Sequence, residues 1–283
     1  MSRARAPREL VRRLLGCVPE TIEPMVVWDH RATFRVRIGD ERFVCKFDSD
    51  KDEHRREVVG NQRAAAAGVP VPEIIALEPG AFAMRWVDGV ALATSSPECA
   101  WRAAGAVVRS IHSIPVTEPE FGGGFVGRAA TWTDALLAAV DDTIEPAAAT
   151  CARTAISAAQ LDHITGGWCH GDLQPEHIVL DPDTHRIRAV LDWSDQGRGD
   201  PAWDVAVLTL DDDRALPAFV RGYGGTVPDD RLGLYRVVRL FSEVRWLAEH
   251  GFAPAADAAV ARLRAWGAST SRPPRRDLGG NRS

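Results

Sequence analysis

Two blocks in the second half of the chain each carry a short apolar run that ends in an aspartate. The first block, HGDLQPEHIVLD at residues 170–181, passes from a polar loop into an apolar segment. The second block, VLDWSDQGRGDPAWDVA at residues 190–206, begins with an apolar pair followed by Asp192. Short apolar runs separated by a turn predict a β-hairpin. Its return strand would bring Asp192 back beside the loop that contains Asp172, so we expect a site with two carboxylates.

The composition excludes several classes of protein. The chain has 283 residues, of which 45% are hydrophobic and 26% charged, as in an ordinary globular domain or pair of lobes. The net charge of -5 and the absence of a basic stripe argue against a nucleic-acid partner. No stretch approaches the roughly 18 uninterrupted apolar residues of a membrane helix, so we expect no membrane partner.

Cysteine usage indicates the compartment. The five cysteines are odd in number, and no two of them form a C-x-x-C pair. This pattern argues against a disulfide framework or a zinc cluster and favours a reducing compartment. The basic N-terminus is followed by no apolar core of signal-peptide length. We therefore expect a cytoplasmic protein.

The first 87 residues predict a small antiparallel sheet with one inserted helix. Residues 7–16 are amphipathic and predict a first helix, and the alternating apolar residues of FRVRIGDERFVCKF predict a hairpin around Gly39. Alanines and charges predict a helix over residues 52–67, and two more strands follow it. Beyond this region the chain is mostly Ala-rich and predicts helices, apart from the hairpin between the two aspartate blocks.

The spacing within the first block matches a known catalytic loop. Protein kinases carry H-R-D-L-x-x-x-N, in which the aspartate accepts the proton of the attacking hydroxyl. Here His170-Gly171-Asp172-Leu173 and then His177 keep this spacing, with glycine for arginine and histidine for asparagine. Asp192 then takes the place of the magnesium-binding aspartate at the end of a later strand. Phosphoryl transfer is therefore the chemistry that the two blocks indicate.

With these blocks, EVVGNQRAAAAGVPVPEI and GAVVRSIHSIP, the chain resembles the aminoglycoside phosphotransferase family from about residue 10 to 265. That family consists of small-molecule kinases and includes antibiotic-resistance kinases. The resemblance implies an α+β, protein-kinase-like two-lobe fold, with a small antiparallel sheet lobe and a larger helical lobe. It places the nucleotide-binding lobe at residues 1–87 and the catalytic and substrate-binding lobe at 88–267. Residues 268–283 are expected to form a disordered tail.

The resemblance also assigns the catalytic and metal residues. Asp172 would be the catalytic base, and Asp192 with His177 would hold Mg²⁺. His177 departs from the usual asparagine, and an imidazole is a poorer magnesium ligand than an oxygen. It would bind the metal through a water or donate to a phosphate. The same histidine is similar to the macrolide phosphotransferase branch, which often uses GTP, so ATP and GTP both stay open.

On the nucleotide side, the resemblance matches Lys46 in FVCKF to the strand lysine that contacts the phosphates. Glu57 in the following helix would orient it. The purine would lie at the connector between the lobes, against the backbone of Met84, Arg85 and Trp86. Trp86 has the alternative of being a core aromatic.

The phosphate-covering turn WDHRATFRV contains no glycine, although glycine lets backbone amides approach phosphates closely. Arg31 would then offer a charge and Thr33 a hydroxyl, unless the segment is an ordinary hairpin tip.

Two further acids follow Asp192 in the second block. We expect Asp200 to accept loop amides and Asp204 to start a helix, and we expect His170 to hold its loop by hydrogen bonds.

Four functions remain open from the sequence. The first is an antibiotic kinase, acting on a small-molecule acceptor such as an aminoglycoside or a macrolide and working as a monomer or weak dimer. The second is a metabolic kinase for a choline, homoserine or sugar-like acceptor. The third is a metal-dependent hydrolase whose ligands would be His170, Asp172, His177 and Asp192. The fourth is a nucleotide-binding module without catalysis, against which the intact Lys46 argues.

Overall fold

A computed structural model of the chain describes residues 7–270 except positions 29, 117–130, 160, 162–165, 211 and 228. This part contains an antiparallel sheet and many helices, so the predicted α+β composition is confirmed. The chain divides into two compact units, Met1–Gly127 with Thr165–Val227, and Arg128–Ile164 with Pro228–Ser283. The predicted lobes stay a prediction, because their boundary at residue 87 lies inside the first unit.

The first unit opens with a five-stranded antiparallel sheet in the order β1-β2-β3-β5-β4. The two predicted hairpins and the inserted helix are present, whereas the sequence does not predict β1. That edge strand is mostly exposed and contains Pro24, so it carries no alternating apolar pattern. The elements are α1 (Pro7–Leu15), β1 (Thr21–Val27), β2 (Arg31–Ile38), β3 (Glu41–Asp48), α2 (Lys51–Ala66), β4 (Ile74–Glu78) and β5 (Ala81–Arg85).

The sheet has two different faces because side chains alternate along each strand. One face packs against Val11 and Leu14 of α1, with Phe34, Phe43 and Cys45 at its centre. The opposite face lies on the side of α2, where Val44, Phe82 and Met84 pack against Val58. Residues opposite each other in adjacent strands point to the same side, and Thr33 is opposite Lys46, which is opposite Phe82. This face, called the lysine face below, therefore carries Thr33, Lys46 and Met84 together.

The rest of the first unit supplies the loop and the hairpin that the two aspartate blocks predict. β8 pairs with β9 as the predicted hairpin, and the two-stranded ladder β7–β10 encloses it in sequence. Helices α3 and α7 pack against each other, and α6 follows β10 directly. The elements are β6 (Val90–Ala91), α3 (Glu98–His112), β7 (Gly167–Cys169), a 3-10 turn (Pro175–His177), β8 (Ile178–Leu180), β9 (Ile187–Val190), β10 (Gly197–Gly199), α6 (Pro201–Leu208) and α7 (Leu216–Tyr223).

The second unit is helical throughout its described part. It consists of α4 (Trp132–Ala139), α5 (Pro146–Ala158), α8 (Asp229–Glu249) and α9 (Ala253–Thr270). Trp132 and Tyr235 meet in its interior, where the Trp132 indole N–H donates to the Tyr235 hydroxyl at 3.0 Å. Helix α9 continues past the predicted start of the tail at residue 268, and residues 271–283 lie outside the described part. Among the described helices, none combines the length and apolar character that crossing a membrane requires.

Candidate active site

Lys46 and Glu57 form a buried ion pair between the sheet and α2. Lys46 lies on β3 and Glu57 on α2, and their side chains are 14% and 8% exposed. The Lys46 ammonium contacts the Glu57 carboxylate directly. Helix α2 is capped by Asp50, whose carboxylate accepts the backbone N–H of Asp52 and of Glu53. This cap fixes the start of the helix that presents Glu57 to the sheet. The sequence-predicted pair is thus brought together.

Asp192 completes this charge cluster. Its Oδ1 lies 3.6 Å from the Lys46 Nζ and accepts a hydrogen bond from the Ser194 hydroxyl at 3.2 Å. The backbone at Asp192 is left-handed, with φ of 60°, which for a non-glycine residue costs about 1–2 kcal/mol. Burial raises the pKa of Asp192, but the charges of Lys46, His177 and Arg31 outweigh it and hold that pKa below its usual range. Asp192 is therefore a carboxylate at neutral pH.

The loop that carries Asp172 is tied to the strand that ends at Asp192. The His170 Nε2–H donates to the Leu191 carbonyl at 2.8 Å, so the predicted structural role of His170 is confirmed. Burial lowers the pKa of His170, which keeps the ring neutral and suited to this role. Gly171 has a φ of 89°, and a Cβ there would lie 2.0 Å from the Asp195 carbonyl oxygen. Only glycine allows the loop to pass so close to the segment after Asp192.

Asp204 also binds the backbone of this loop, a role that was predicted for Asp200. Its two carboxylate oxygens accept the backbone N–H of His170 at 2.7 Å and of Gly171 at 2.9 Å. Asp200 instead caps α6 by accepting the Ala202 N–H at 3.0 Å. The predicted position of Asp204 in the first turn of α6 is confirmed, but its carboxylate also accepts the loop N–H groups, a role that was predicted for Asp200. Both are turn-adjacent acids in the sequence, and only the packing of α6 under the loop distinguishes them.

A second layer of contacts holds Asp204 itself. Its Oδ2 lies 3.0 Å from the His112 Nε2, and the other ring nitrogen of His112 lies 2.9 Å from the Tyr223 hydroxyl. Burial raises the pKa of Asp204, but the hydrogen bond and charge of His112 outweigh it, so that pKa lies below its ordinary value. Helices α3, α6 and α7 thus converge on one ionised carboxylate beneath the loop.

Two neighbours orient Asp172. The Gln174 side-chain amide donates to its Oδ2 at 2.9 Å. The His177 Nδ1 lies 2.7 Å from its backbone carbonyl oxygen, an arrangement that requires a proton on Nδ1. Gln174 is not predicted from the sequence, although its position two residues after Asp172 is the signal that could have identified it. These contacts place one carboxylate edge of Asp172 in a fixed orientation.

Asp192 and His177 suit Mg²⁺ to different degrees. Asp192 fits, because it is an ionised, partly exposed carboxylate at the end of the hairpin. His177 fits less well: its Nδ1–H is directed to the Asp172 carbonyl, so only the Nε2 remains for another ligand. A nitrogen ligand is unfavourable for magnesium. The chemistry of the residues therefore supports Asp192 as the principal metal ligand.

The remaining predicted nucleotide residues fall into two groups. Thr33 and Met84 are buried on the lysine face, and Trp86 packs at the end of that face beside Met84. The Arg85 side chain belongs to the other face, where it binds Glu41 and Glu73. The Arg85 backbone N–H donates to the Glu73 carbonyl at 2.9 Å, and the Trp86 N–H donates to the Arg42 carbonyl at 2.9 Å, so both of these backbone donors are already used. A backbone contact of these residues with the purine stays a prediction.

A metal-dependent hydrolase would need its predicted ligands His170, Asp172, His177 and Asp192 to form a cluster. Within the described residues, the metal-type donors that come within 4.8 Å of one another are His112, Cys169 and Asp204. Burial raises the pKa of the Cys169 thiol well above its usual value, so it is not a thiolate. Asp204 and His112 already bind loop amides and Tyr223, as described above. These three residues therefore form a structural network.

Comparison with known proteins identifies relatives with kinase activity. A family model described as "Phosphotransferase enzyme family" matches residues 25–241. Streptomycin 3''-kinase from Streptomyces griseus is 30% identical over 198 residues, which cover 59% of this chain and 72% of that protein. Aminoglycoside 3'-phosphotransferase from Streptomyces fradiae is 29% identical over 215 residues, which cover 62% of this chain and 74% of that protein.

Solved structures share the fold across nearly the whole chain. A ternary complex of aminoglycoside phosphotransferase APH(4)-Ia with AMP-PNP and hygromycin B has a TM-score of 0.74 at 20% identity, covering 95% of this chain and 100% of that one. Choline kinase LicA from Streptococcus pneumoniae has a TM-score of 0.71 at 16% identity, covering 93% of this chain and 97% of that one. Macrolide 2'-phosphotransferase MphH from Brachybacterium faecium has a TM-score of 0.64 at 20% identity, covering 90% of this chain and 96% of that one. The predicted protein-kinase-like fold class is confirmed.

Proposed function

The chain belongs to the phosphotransferase enzyme family and is a small-molecule kinase, and we propose that its acceptor is the hydroxyl of an aminoglycoside, a macrolide or a related antibiotic. The donor in this proposal is the γ-phosphoryl group of ATP or GTP. The observation that carries it is the cluster in which Lys46 bridges Glu57 and Asp192. The two aminoglycoside kinases among the relatives support the acceptor class.

Lys46 supplies the positive charge for the nucleotide phosphates. Burial lowers the pKa of Lys46, but the charges of Asp192 and Glu57 outweigh it, so the net pKa is raised and the ammonium stays charged. A compact ammonium held between two acids is a fixed point charge, which suits phosphate oxygens. The purine would then lie toward Met84 and Trp86, further along the lysine face. The AMP-PNP bound to APH(4)-Ia supports a purine nucleotide as donor.

Asp172 would accept the proton of the acceptor hydroxyl and orient it. Phosphoryl transfer depends mainly on positioning and charge stabilisation, so the rigidity of the Asp172 loop is the relevant property. Asp192 would hold magnesium, and the bound ion would supply positive charge that offsets the charge of the nucleotide phosphates. The His177 ring, fixed by the Asp172 carbonyl, would donate from its remaining nitrogen to a phosphate oxygen when protonated.

The test is product formation with ATP and with GTP, each with magnesium, against a panel of aminoglycosides and macrolides followed by mass spectrometry. We expect a mass gain of one phosphate on one acceptor class. Asp172→Asn should lower its rate of formation by about 10²–10⁴, as expected for the loss of a general base. Asp183→Asn, in the exposed turn between β8 and β9, is the matched control and should leave the rate unchanged.

Other outcomes separate the alternatives. Transfer to choline, homoserine or a sugar instead of an antibiotic would replace the proposed acceptor by that of a metabolic kinase. Nucleotide binding without transfer to any acceptor would favour a binding module. Tight metal binding without nucleotide binding would revive the hydrolase. The proposal further includes a cytoplasmic location and a monomeric or weakly dimeric enzyme without nucleic-acid or membrane partners.

A further inference from the structure

Arg31 lies on the lysine face, immediately after the turn that joins β1 to β2. It is opposite Asp48 in the sheet register, just as Thr33 is opposite Lys46. Side chains two residues apart on a strand point to the same side, so Arg31 and Thr33 share a face. The Arg31 side chain is 24% exposed. Arg31 is therefore a half-buried cation at the end of the lysine face away from Trp86.

Two acids hold Arg31 in the way that Glu57 holds Lys46. The Arg31 Nε donates to the Asp48 Oδ2 at 2.9 Å, and its Nη2 contacts the Glu53 carboxylate. Glu53 and Glu57 lie four residues apart on α2, on one side of the helix. Helix α2 thus presents two glutamates to two cations of the sheet.

Arg31 and Lys46 belong to one electrostatic environment. The positive charge of Arg31 lowers the pKa of Lys46, although the acids around Lys46 outweigh it. Partial burial lowers the pKa of Arg31, but the hydrogen bond to Asp48 and the charges of Asp192 and Glu57 outweigh this, so it is raised. Phosphates bound beside Lys46 and Asp192 would therefore also experience the charge of Arg31.

The guanidinium has donors that these acids do not use. Its Nε binds Asp48 and its Nη2 binds Glu53, whereas the contacts leave the Nη1 end for another acceptor. A guanidinium is a planar fork of N–H donors that matches the oxygens of a phosphate. The turn before Arg31 lacks the glycines that would let backbone amides fill this role.

We propose that Arg31 is a second phosphate-binding cation, whose guanidinium binds the terminal phosphates of the donor nucleotide in place of a glycine-rich turn. The inference rests on the proposed function, because it takes a purine triphosphate as the ligand. The competing interpretation is that Arg31 only fastens β2 to α2 through Asp48 and Glu53. The two interpretations predict different effects of replacing Arg31. If Arg31 binds phosphate, the loss of nucleotide affinity should grow with the number of phosphates on the nucleotide.

The experiment measures dissociation constants for ATP, ADP, AMP and adenosine, or the guanosine series if the parent prefers it, at constant magnesium. Arg31→Gln should weaken triphosphate binding about tenfold or more, as expected for a charge-assisted hydrogen bond. The loss should shrink as phosphates are removed, and nucleoside binding should change less than about twofold. Arg31→Lys should recover part of the loss, because it keeps the charge without the fork.

Two matched variants complete the design. Glu53→Gln weakens the same contact with α2 but keeps the cation and its hydrogen bond to Asp48, so the loss of triphosphate affinity should be much smaller than in Arg31→Gln. Arg37→Gln removes an exposed arginine of the same strand, paired with Glu20, and should change no affinity. Thermal unfolding of each variant establishes that it is folded. If Arg31→Gln is not folded, Arg31→Lys replaces it in the binding measurements.

The results that would overturn the inference are specific. An equal loss of nucleoside and triphosphate affinity in Arg31→Gln, or a similar loss in Glu53→Gln, would assign Arg31 to fastening α2 only. Unchanged triphosphate binding in a folded Arg31→Gln would also refute the inference while the kinase proposal stands. A parent protein that binds no purine nucleotide would refute both.

Discussion

At the scale of single residues, the site depends on charges that are buried together. Lys46 and Glu57 have lost most of their contact with water, and each is balanced by the other. Breaking a buried pair by removing one partner costs about 3–5 kcal/mol, because the remaining charge is left without compensation. Residues of this kind affect both stability and ligand binding, so a test must measure both.

Lys46→Met should lower the free energy of unfolding by several kcal/mol and weaken triphosphate binding, because Glu57 would lose its cation. Urea denaturation and nucleotide titration measure the two effects. Lys51→Met is the control: Lys51 is the exposed first residue of α2, and its loss should change stability by less than about 0.5 kcal/mol. Equal effects of the two substitutions would contradict the buried pair.

Asp204→Asn should slow phosphoryl transfer and destabilise the protein, because an amide cannot accept both loop N–H groups. An unsatisfied buried donor costs about 1–3 kcal/mol. Asp200→Asn should be mild by comparison, since asparagine caps a helix about as well as aspartate. Steady-state kinetics and chemical denaturation of both variants test which of the two acids holds the loop. A larger effect at Asp200 would restore the assignment made from the sequence.

At the scale of elements, α2 connects the lysine face to the segment after Asp192. The Arg56 Nε donates to the Ser194 carbonyl at 3.3 Å, and the Gln196 amide donates to the Arg56 carbonyl at 3.4 Å. Gln196 also accepts the Trp168 indole N–H at 2.7 Å. Because α2 carries Glu57, its contact with this segment determines how Lys46 and Asp192 meet.

Gly60 of α2 provides a test of this contact. A Cβ at Gly60 would lie 2.5 Å from the Gln196 Cγ and 2.8 Å from the Trp193 Cβ. Gly60→Ala should therefore destabilise by about 1–3 kcal/mol and raise the KM for the nucleotide more than that for the acceptor. Gly233→Ala on α8, where a Cβ meets nothing within 4 Å, should instead stabilise by about 0.5–1 kcal/mol. Thermal unfolding and kinetics distinguish these results, and a stabilised Gly60→Ala would contradict the close contact.

At the scale of the whole molecule, the ionised acids of the site connect folding to pH. The pKa values of Asp192 and Asp204 lie below the ordinary value of about 3.9 for an aspartate. The folded state therefore favours their charged forms. This stabilisation is complete above about pH 5, and it is lost as the pH falls through the lowered pKa values.

We expect the free energy of unfolding to fall steeply below about pH 4. The stability difference between the parent and Asp204→Asn should shrink over the same range, because protonation removes the charge that the substitution removes. Urea denaturation at pH 7, 5, 4 and 3 measures both curves. A difference that stays constant down to pH 3 would show that the charge of Asp204 contributes nothing.

The sequence alone determined the features that depend on neighbouring residues. Alternating apolar residues predicted β2 and β3, short apolar runs around a turn predicted the hairpin β8–β9, and alanines and charges predicted α2. The spacing of His170, Asp172 and His177 with a later Asp192 indicated phosphoryl transfer, because that chemistry needs two carboxylates at fixed positions. The edge strand β1 escaped prediction, since its side chains are mostly exposed and lack a period.

Only the tertiary structure decided which groups meet across long separations in the chain. It identified Asp204 as an acceptor of the loop N–H groups, because this role depends on which acid the packing of α6 brings to the loop, whereas Asp200 caps α6. It also brought Glu53 to Arg31 and Gln196 to Arg56, contacts that follow from sheet register and helix packing. Local patterns specify secondary structure, but a contact between distant residues depends on how whole elements bury their apolar faces. The electrostatics of this site are therefore a property of the packed molecule.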